Sequence, residues 1–271
     1  MKCFYHKSDF DGICSAAIVK YKYPDCELIG VDYDDDFNLF SIVSENEIVY
    51  IVDFCFDKDI MVDLNLHCDL HWIDHHKSSI EQMIDVKIKG SRIIGFGACQ
   101  LTWKYLFPDK IEPISIYFLG RYDVWDHKEI EVLPFQYGLR FIENLNAESP
   151  LWAALFNEIE FIMAIVRIGK TLMYYEKLQN EKYVKSMSYE KEFEGYNAIV
   201  VNKPMTNSKV FDSVYDPSIH DIMIIFGIKD GKYKYSLFSD KKEIDVSKIA
   251  VKYGGGGHAG ASGFYSDKLL V

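Results

Sequence analysis

Apolar and polar positions alternate in two registers along the first hundred residues. Short β-branched runs at Cys3 to His6, Leu28 to Tyr33, Ile48 to Phe54 and Leu70 to Asp74 predict strands. The stretches Gly12 to Tyr23, Lys58 to Leu66 and Ala98 to Phe107 carry the wider helical spacing and predict helices. Strands that alternate with helices need crossover connections, so the expected fold is α/β with a mainly parallel sheet. Ligands gather beyond the carboxyl ends of the strands in such a sheet. Polar, acidic segments stand at those ends here: HKSDFD at the first, DFCFD at the third and DHHKS at the fourth.

From Ser149 the pattern turns helical and continues to about Met187, with Pro150 at the first helical position, which predicts a connecting helix. Strands return at Tyr196 to Asn202, Asp221 to Ile228 and Tyr233 to Phe238, the last two joined by an Asp230-Gly231 hairpin turn. A helix at Val246 to Tyr253 and a glycine run complete a smaller α/β domain. The expected organisation is therefore a catalytic domain over 1–148, a connecting helix over 149–187 and a C-terminal domain over 188–271, in keeping with a length of 271 residues.

Composition narrows the partners. Lys and Arg total 30 against 41 Asp and Glu, a net charge of −11, so the chain lacks the broad positive field that long duplex nucleic acid or an anionic membrane would require. No apolar run approaches the roughly 20 residues needed to span a bilayer. The polar N-terminal segment and six cysteines without a CxxC pair lead us to expect reduced thiols and a cytoplasmic protein. Oligomeric state is not written in these features.

The candidate chemistry sits at the strand ends. His6, Asp9 and Asp11 fall within six residues before a helix. In extended geometry the two carboxylates, two apart, would point to opposite sides and serve two different cations, while a capping role would account for Asp11 alone. Asp53 closes the third strand, as a turn residue or a ligand. Asp74-His75-His76 is more specific: two imidazoles on divergent vectors, with a carboxylate able to fix a tautomer. Asp123 adds a carboxylate, with Asp126 as its rival. At the other end, Gly254, Gly255, Gly256 and Gly257 precede His258. Backbone without Cβ atoms can approach a phosphate closely and His258 can donate to it, although a turn at a helix end would also use glycine. His67, Cys68 and His71 lack a second ligand pair at finger spacing, and the Asp32 to Asp36 run lacks EF-hand features and reads as a solvated acidic loop.

The order HxxDxD, D, DHH, D resembles that of the DHH phosphoesterase superfamily. The segment IDVSKIAVKYGGGGHAGASGF, Ile244 to Phe264, resembles the end of the branch carrying the type 1 DHH-associated C-terminal domain, and not the inorganic pyrophosphatase branch. The resemblance implies that His6, Asp9 and Asp53 hold one divalent ion and that Asp11, Asp53, His75 and Asp123 hold a second, with Asp53 shared. Mn2+ is the expected ion, Mg2+ or Co2+ the alternatives, and the mixed imidazole and carboxylate shell suits that preference. His76 would contact the scissile phosphate and Asp74 would orient the motif. The glycine run and His258 would bind substrate.

The activity so implied is a manganese-dependent phosphodiesterase, an exonuclease acting on short single-stranded RNA or DNA, or on dinucleotides. Two ions would activate water for in-line attack in the cleft between the domains. The alternatives are a cyclic-dinucleotide hydrolase or a 3′,5′-bisphosphonucleoside phosphatase on the same site, or a nucleotide-binding sensor that kept the metals without turnover. One departure stands out: the relatives' Ser-Leu-Arg-Ser strand is Ser236-Leu237-Phe238-Ser239 here, so an arginine that grips phosphate is replaced by a ring able to stack on a base or to fill a core.

Overall fold

A computed structural model describes residues 1–33, 35 and 39–271. The expected α/β architecture is present. The first elements are β1 (Lys2–His6), α1 (Phe10–Lys22), β2 (Glu27–Val31), α2 (Leu39–Ile42), β3 (Ile48–Val52), α3 (Lys58–His67) and β4 (Asp69–Asp74). They are followed by α4 (Lys77–Gln82), β5 (Lys89–Arg92), α5 (Ala98–Leu106), α6 (Ile114–Asp123) and α7 (Val132–Leu139). The five strands pair in parallel in the order β2-β1-β3-β4-β5. Successive side chains point to opposite faces, and each face has its own core. Cys3, Tyr50, Val52 and Ile73 pack beneath α1, α5 and α6, while Phe4, Val49, Ile51, Leu70 and Trp72 face the α2 and α3 side. Because β2 and β3 leave β1 on opposite sides, the sheet's switch point lies between β1 and β3. A crevice opens at the carboxyl ends of two such strands.

The chain separates into two compact units, Met1–Met173 and Tyr174–Val271. The helical stretch from Ser149 is two helices, α8 (Leu151–Asn157) and α9 (Ile159–Met187), because Glu158 takes an extended conformation between them. The division between the units falls inside α9. This corrects the single connecting helix expected from an almost continuous apolar pattern.

The second unit contains β6 (Tyr189–Phe193), β7 (Tyr196–Asn202), β8 (Ile222–Lys229), β9 (Lys232–Phe238), α10 (Val246–Lys252), β10 (Gly256–His258) and β11 (Ala261–Ser266). Its sheet is mixed, in the order β10-β11-β9-β8-β7-β6. The β8–β9 turn has positive φ at both Asp230 and Gly231, the type I′ geometry that Asp-Gly favours. Phe238 packs partly buried against the cluster of Val184, Ile199 and Phe211, which makes it a core residue. All six cysteines are buried and free, and among the described residues no helix is long and apolar enough to cross a membrane.

Candidate metal centre

The site grows from the ends of β1, β3 and β4. Gly12 is pressed against β1: a Cβ there would lie 2.1 Å from the His6 carbonyl oxygen, so only glycine lets α1 start this close to the strand. Helix α1 begins at Phe10 with Asp9 as its N-cap, the Asp9 carboxylate accepting from Gly12 N–H at 3.0 Å. The cap is thus Asp9 rather than Asp11. The two carboxylates diverge because Asp11 has entered the helix, not because the segment is extended.

Asp11 is buried and accepts from the Ala98 and Cys99 backbone N–H groups, at 2.6 and 2.9 Å, at the start of α5. A Cβ on Gly97 would sit 2.5 Å from the Gly120 Cα and 3.0 Å from Asp11 Oδ1, so that glycine lets α5, α6 and the carboxylate converge. The sequence reading missed these donors, which lie in the backbone. The Gly95-Phe96-Gly97 pair opening α5 was the one available signal.

Asp53 follows β3 at φ 54°, a left-handed conformation that carboxylate residues tolerate better than most, and its N–H donates to Ile73 O at 2.9 Å. It is 1% exposed and neither side-chain oxygen has a hydrogen-bond partner. Around it stand His6 Nδ1 at 3.7 Å, His75 Nε2 at 3.3 Å and His76 Nδ1 at 3.9 Å. His6 Nδ1 also lies 2.8 Å from Asp9 Oδ2, and His75 Nε2 lies 3.2 Å from Asp123 Oδ2 and 3.7 Å from Asp11 Oδ2. Asp123 ends α6. Asp126, its sequence rival, instead pairs with Arg121 at 3.3 Å.

Asp74 is fully buried and its Oδ1 accepts from His75 N–H, His76 N–H and His76 Nδ1 at 2.7, 3.1 and 2.7 Å. Its position thereby fixes both the turn and the ring of His76.

The electrostatics are those of a crowded anion cluster. Burial, reinforced by Asp53, pushes the Asp11 carboxyl up to about 7, and burial with Asp11 raises Asp123 to about 7. Burial also raises Asp53. Asp53 and Asp9 hold the His6 imidazole protonated up to about 10. Against burial, Asp53, Asp11 and Asp123 push His75 up to about 9. Asp74 raises His76. Protons here do what cations would do: compensate buried carboxylates.

Ligand atoms of His6, Asp9 and Asp53 lie within 4.8 Å of one another, as do those of Asp11, His75 and Asp123, and those of Asp53, His75 and His76. Asp53 Oδ1, Asp53 Oδ2 and His75 Nε2, buried without a hydrogen bond, and His6 Nδ1, ion-paired with Asp9, fit divalent ions in chemistry and placement. His76 Nδ1 is already engaged by Asp74, which sets it apart from the other imidazoles.

The remaining candidates lie elsewhere. His67 Nε2 contacts Val43 O, Cys68 Sγ contacts Leu64 O and His71 Nδ1 contacts Tyr105 Oη, so these three do not converge. Of the acidic run, Asp34 and Asp36 lie outside the described residues. Asp32 accepts from Ser8 Oγ and is 3.9 Å from His6 Nε2, and Asp35 pairs with Lys7 at 2.5 Å.

In the second unit, Gly254 has φ 76° and ends α10, with Gly254 N–H donating to Val251 O and Gly255 N–H to Ala250 O. Gly255 and Gly257 lie against β11, where a Cβ would meet Gly263 O at 2.1 Å and Ser262 Cα at 2.6 Å. Three glycines are thus required by the fold, while Gly256 faces open space. His258 is exposed on β10.

No family model matches the chain. An uncharacterized protein of Acanthamoeba polyphaga mimivirus is 27% identical over 238 residues, 80% of this chain, and the chain spans only 53% of that relative's length. Among solved structures, a pGpG-specific phosphodiesterase, PggH from Vibrio cholerae, superposes with a TM-score of 0.60 at 16% identity, covering 97% of this chain and 92% of its own. The DHH domain of a member of a family of ribosomal proteins superposes with a TM-score of 0.61 at 14% identity, covering 98% of this chain and 83% of its own. Identities this low carry the fold alone.

Proposed function

We propose that this chain, which has the fold of DHH-domain proteins, is a divalent-metal-dependent phosphodiesterase that hydrolyses short single-stranded oligonucleotides or dinucleotides. One observation carries the reading: Asp53, buried with both oxygens unpartnered, stands between the His6–Asp9 group and the Asp11–His75–Asp123 group. In this reading His6, Asp9 and Asp53 would hold one ion and Asp11, Asp53, His75 and Asp123 the other, and the mixed imidazole and carboxylate donor set suits Mn2+ better than Mg2+, with Co2+ an alternative. Bound there, two divalent ions supply a water nucleophile at neutral pH and neutralise charge on the phosphate.

The chain's own groups do the rest. Asp74 holds a proton on His76 Nδ1, so the ring presents a fixed second nitrogen and, when charged, a donor to the phosphate. The N–H groups opening α5 hold Asp11 in the orientation a ligand needs. Residues 1–148 would then supply the chemistry and 188–271 a substrate-binding element in which Gly254 to Gly257 and His258 contact phosphate. The pGpG specificity of one structural neighbour, together with an acidic chain lacking a basic track, supports substrates of a few nucleotides over long strands.

The test incubates metal-stripped protein with 5′-labelled RNA and DNA pentamers, pGpG, a cyclic dinucleotide and a 3′,5′-bisphosphonucleoside, with and without Mn2+. Mononucleotide release from the oligomers or pGpG only with Mn2+ is expected, lost in folded Asp53→Ala and His75→Ala proteins. Cleavage confined to the cyclic or bisphosphorylated compounds would move the substrate. Mn2+ binding without any turnover would leave a nucleotide-binding sensor.

A further inference from the structure

The loop after Asp123 is built against the usual preferences of its residues. Trp125 N–H donates to Tyr122 O at 3.1 Å and Asp126 N–H to Arg121 O at 2.9 Å, the paired bonds that close a helix with one left-handed residue. That residue is Trp125, at φ 56°, where glycine is the usual occupant and a bulky side chain is strained. Packing does not compensate: Trp125 is 83% exposed, whereas Trp72, Trp103 and Trp152 are 2, 5 and 3% exposed. A left-handed backbone and a solvent-exposed indole add nothing to the packing of the fold, and they leave the ring free to meet a ligand.

Its support is well defined. The Trp125 ring lies 5.5 Å from that of His127, which stacks at 5.3 Å on Tyr122. The Arg140 guanidinium sits 5.8 Å from the Tyr122 ring and donates to its hydroxyl at 3.0 Å. The indole therefore stands on a braced column two residues beyond Asp123, whose carboxylate is 3.2 Å from His75 Nε2. An exposed π face on the helix end that carries Asp123 suits a nucleobase, because base–aromatic stacking accepts any base and is lost with the base.

We infer that Trp125 is the stacking platform for a nucleobase of the substrate, a role that rests on the phosphodiesterase reading and narrows its substrate to nucleotides. The other three tryptophans are buried, so acrylamide quenching of the full chain reports Trp125. The experiment titrates the protein in Mg2+ with GMP, pGpG and ribose 5-phosphate, following emission and quenching, with pGpG hydrolysis measured in parallel in Mn2+. GMP and pGpG are expected to change the emission and shield it from acrylamide; ribose 5-phosphate is not.

Trp125→Gly, which relieves the left-handed strain and should melt no lower than wild type, is expected to abolish the change. It should also raise KM for pGpG about tenfold while kcat stays within about twofold, with Trp125→Phe recovering most of the loss. Turnover of pGpG with no emission change, or an unchanged KM in folded Trp125→Gly, overturns the platform and leaves the phosphodiesterase standing. An emission change without hydrolysis of any phosphodiester upholds the platform and overturns the phosphodiesterase. Absence of both overturns both.

Discussion

In residues 174–271 the buried polar side chains find partners within the protein. His220 Nδ1 accepts from Asp216 N–H at 3.0 Å, Ser239 Oγ donates to Asp221 O at 2.8 Å, and Asn180 Oδ1 accepts from Lys203 Nζ. At the ends of β1, β3 and β4 the reverse holds. Of eleven buried side-chain polar atoms without a partner among the described residues, one, Tyr215 Oη, lies in the second unit. Five belong to His6, Asp53, Asp74 and His75. An unpartnered buried group costs about 1–3 kcal/mol, more when charged. Among the described residues the second unit leaves one buried polar side-chain atom without a hydrogen bond, whereas the first leaves a dense group of acids and imidazoles, the arrangement the proposed metal centre would require.

The largest break in that contrast comes from Asp53→Asn. Asparagine keeps the left-handed backbone at φ 54° and nearly the same shape, and removes only the charge. Loss of an oriented partner of a ligand typically weakens a metal site about 10–100-fold, so loss of the shared carboxylate should lower Mn2+-dependent turnover by more than about 100-fold. Without metal the same change takes a shared carboxylate from the protonated His6 and His75, so the metal-free variant should melt no higher than metal-free wild type and should gain less from added Mn2+. A full wild-type rise in melting temperature on adding Mn2+, measured by scanning calorimetry, would mean that Asp53 is not a ligand.

A second, smaller effect is the pH dependence of the metal-free protein. His6 and His75 are raised from 6.5 to about 10 and about 9, and Asp11 and Asp123 from 3.8 to about 7. A raised folded-state value stabilises the fold below the unfolded value, and that contribution is lost as pH climbs through the folded one. Metal-free protein should thus lose stability from about pH 4 to 7 through the carboxyls, and from about pH 6.5 to 10 through the imidazoles. Mn2+ competes with these protons, so its affinity should rise over the same range and its binding should release protons. Melting curves at pH 5.5 and 8.5, with chelator and with Mn2+, check both signs. A metal-free protein that gains stability at pH 8.5 would contradict the cluster's electrostatics.

The same physics explains what could be read in the sequence. β1, β3 and β4 are apolar runs buried on both faces, and they fall within two residues of their expected bounds because that pattern has few other solutions. β5 was invisible: Lys89-Gly90-Ser91-Arg92 has no apolar signal, and it pairs because Gly90, at φ 126°, lies against the Trp72 backbone. The edge strand β6, Tyr-Glu-Lys-Glu-Phe, was hidden by its charges. His6, Asp9, Asp11, Asp53, His75 and Asp123 were legible as candidates because each stands at a strand or helix end, and the fold brings them together. The capping role of Asp9 and the left-handed Asp53 and Trp125 were not, since they depend on local backbone geometry rather than on spacing.

Gly256 gives the smallest effect and separates the two demands on the glycine run. Alanine at Gly255 would place a Cβ 2.1 Å from Gly263 O, and at Gly257 one 2.6 Å from Ser262 Cα at φ 139°, so both substitutions should destabilise the second unit. At Gly256 nothing lies within 4 Å of the added atom and φ is not positive, so Gly256→Ala should change stability by less than about 0.5 kcal/mol. Were the run only a hairpin against β11, that substitution would be silent in every assay. If its backbone approaches a phosphate, the methyl group intrudes where the ligand sits, and KM for pGpG should rise with the melting temperature unchanged. An unchanged KM in this well-folded variant would assign the run to the β10–β11 hairpin alone and leave the contrast between the units resting on the acid–imidazole cluster.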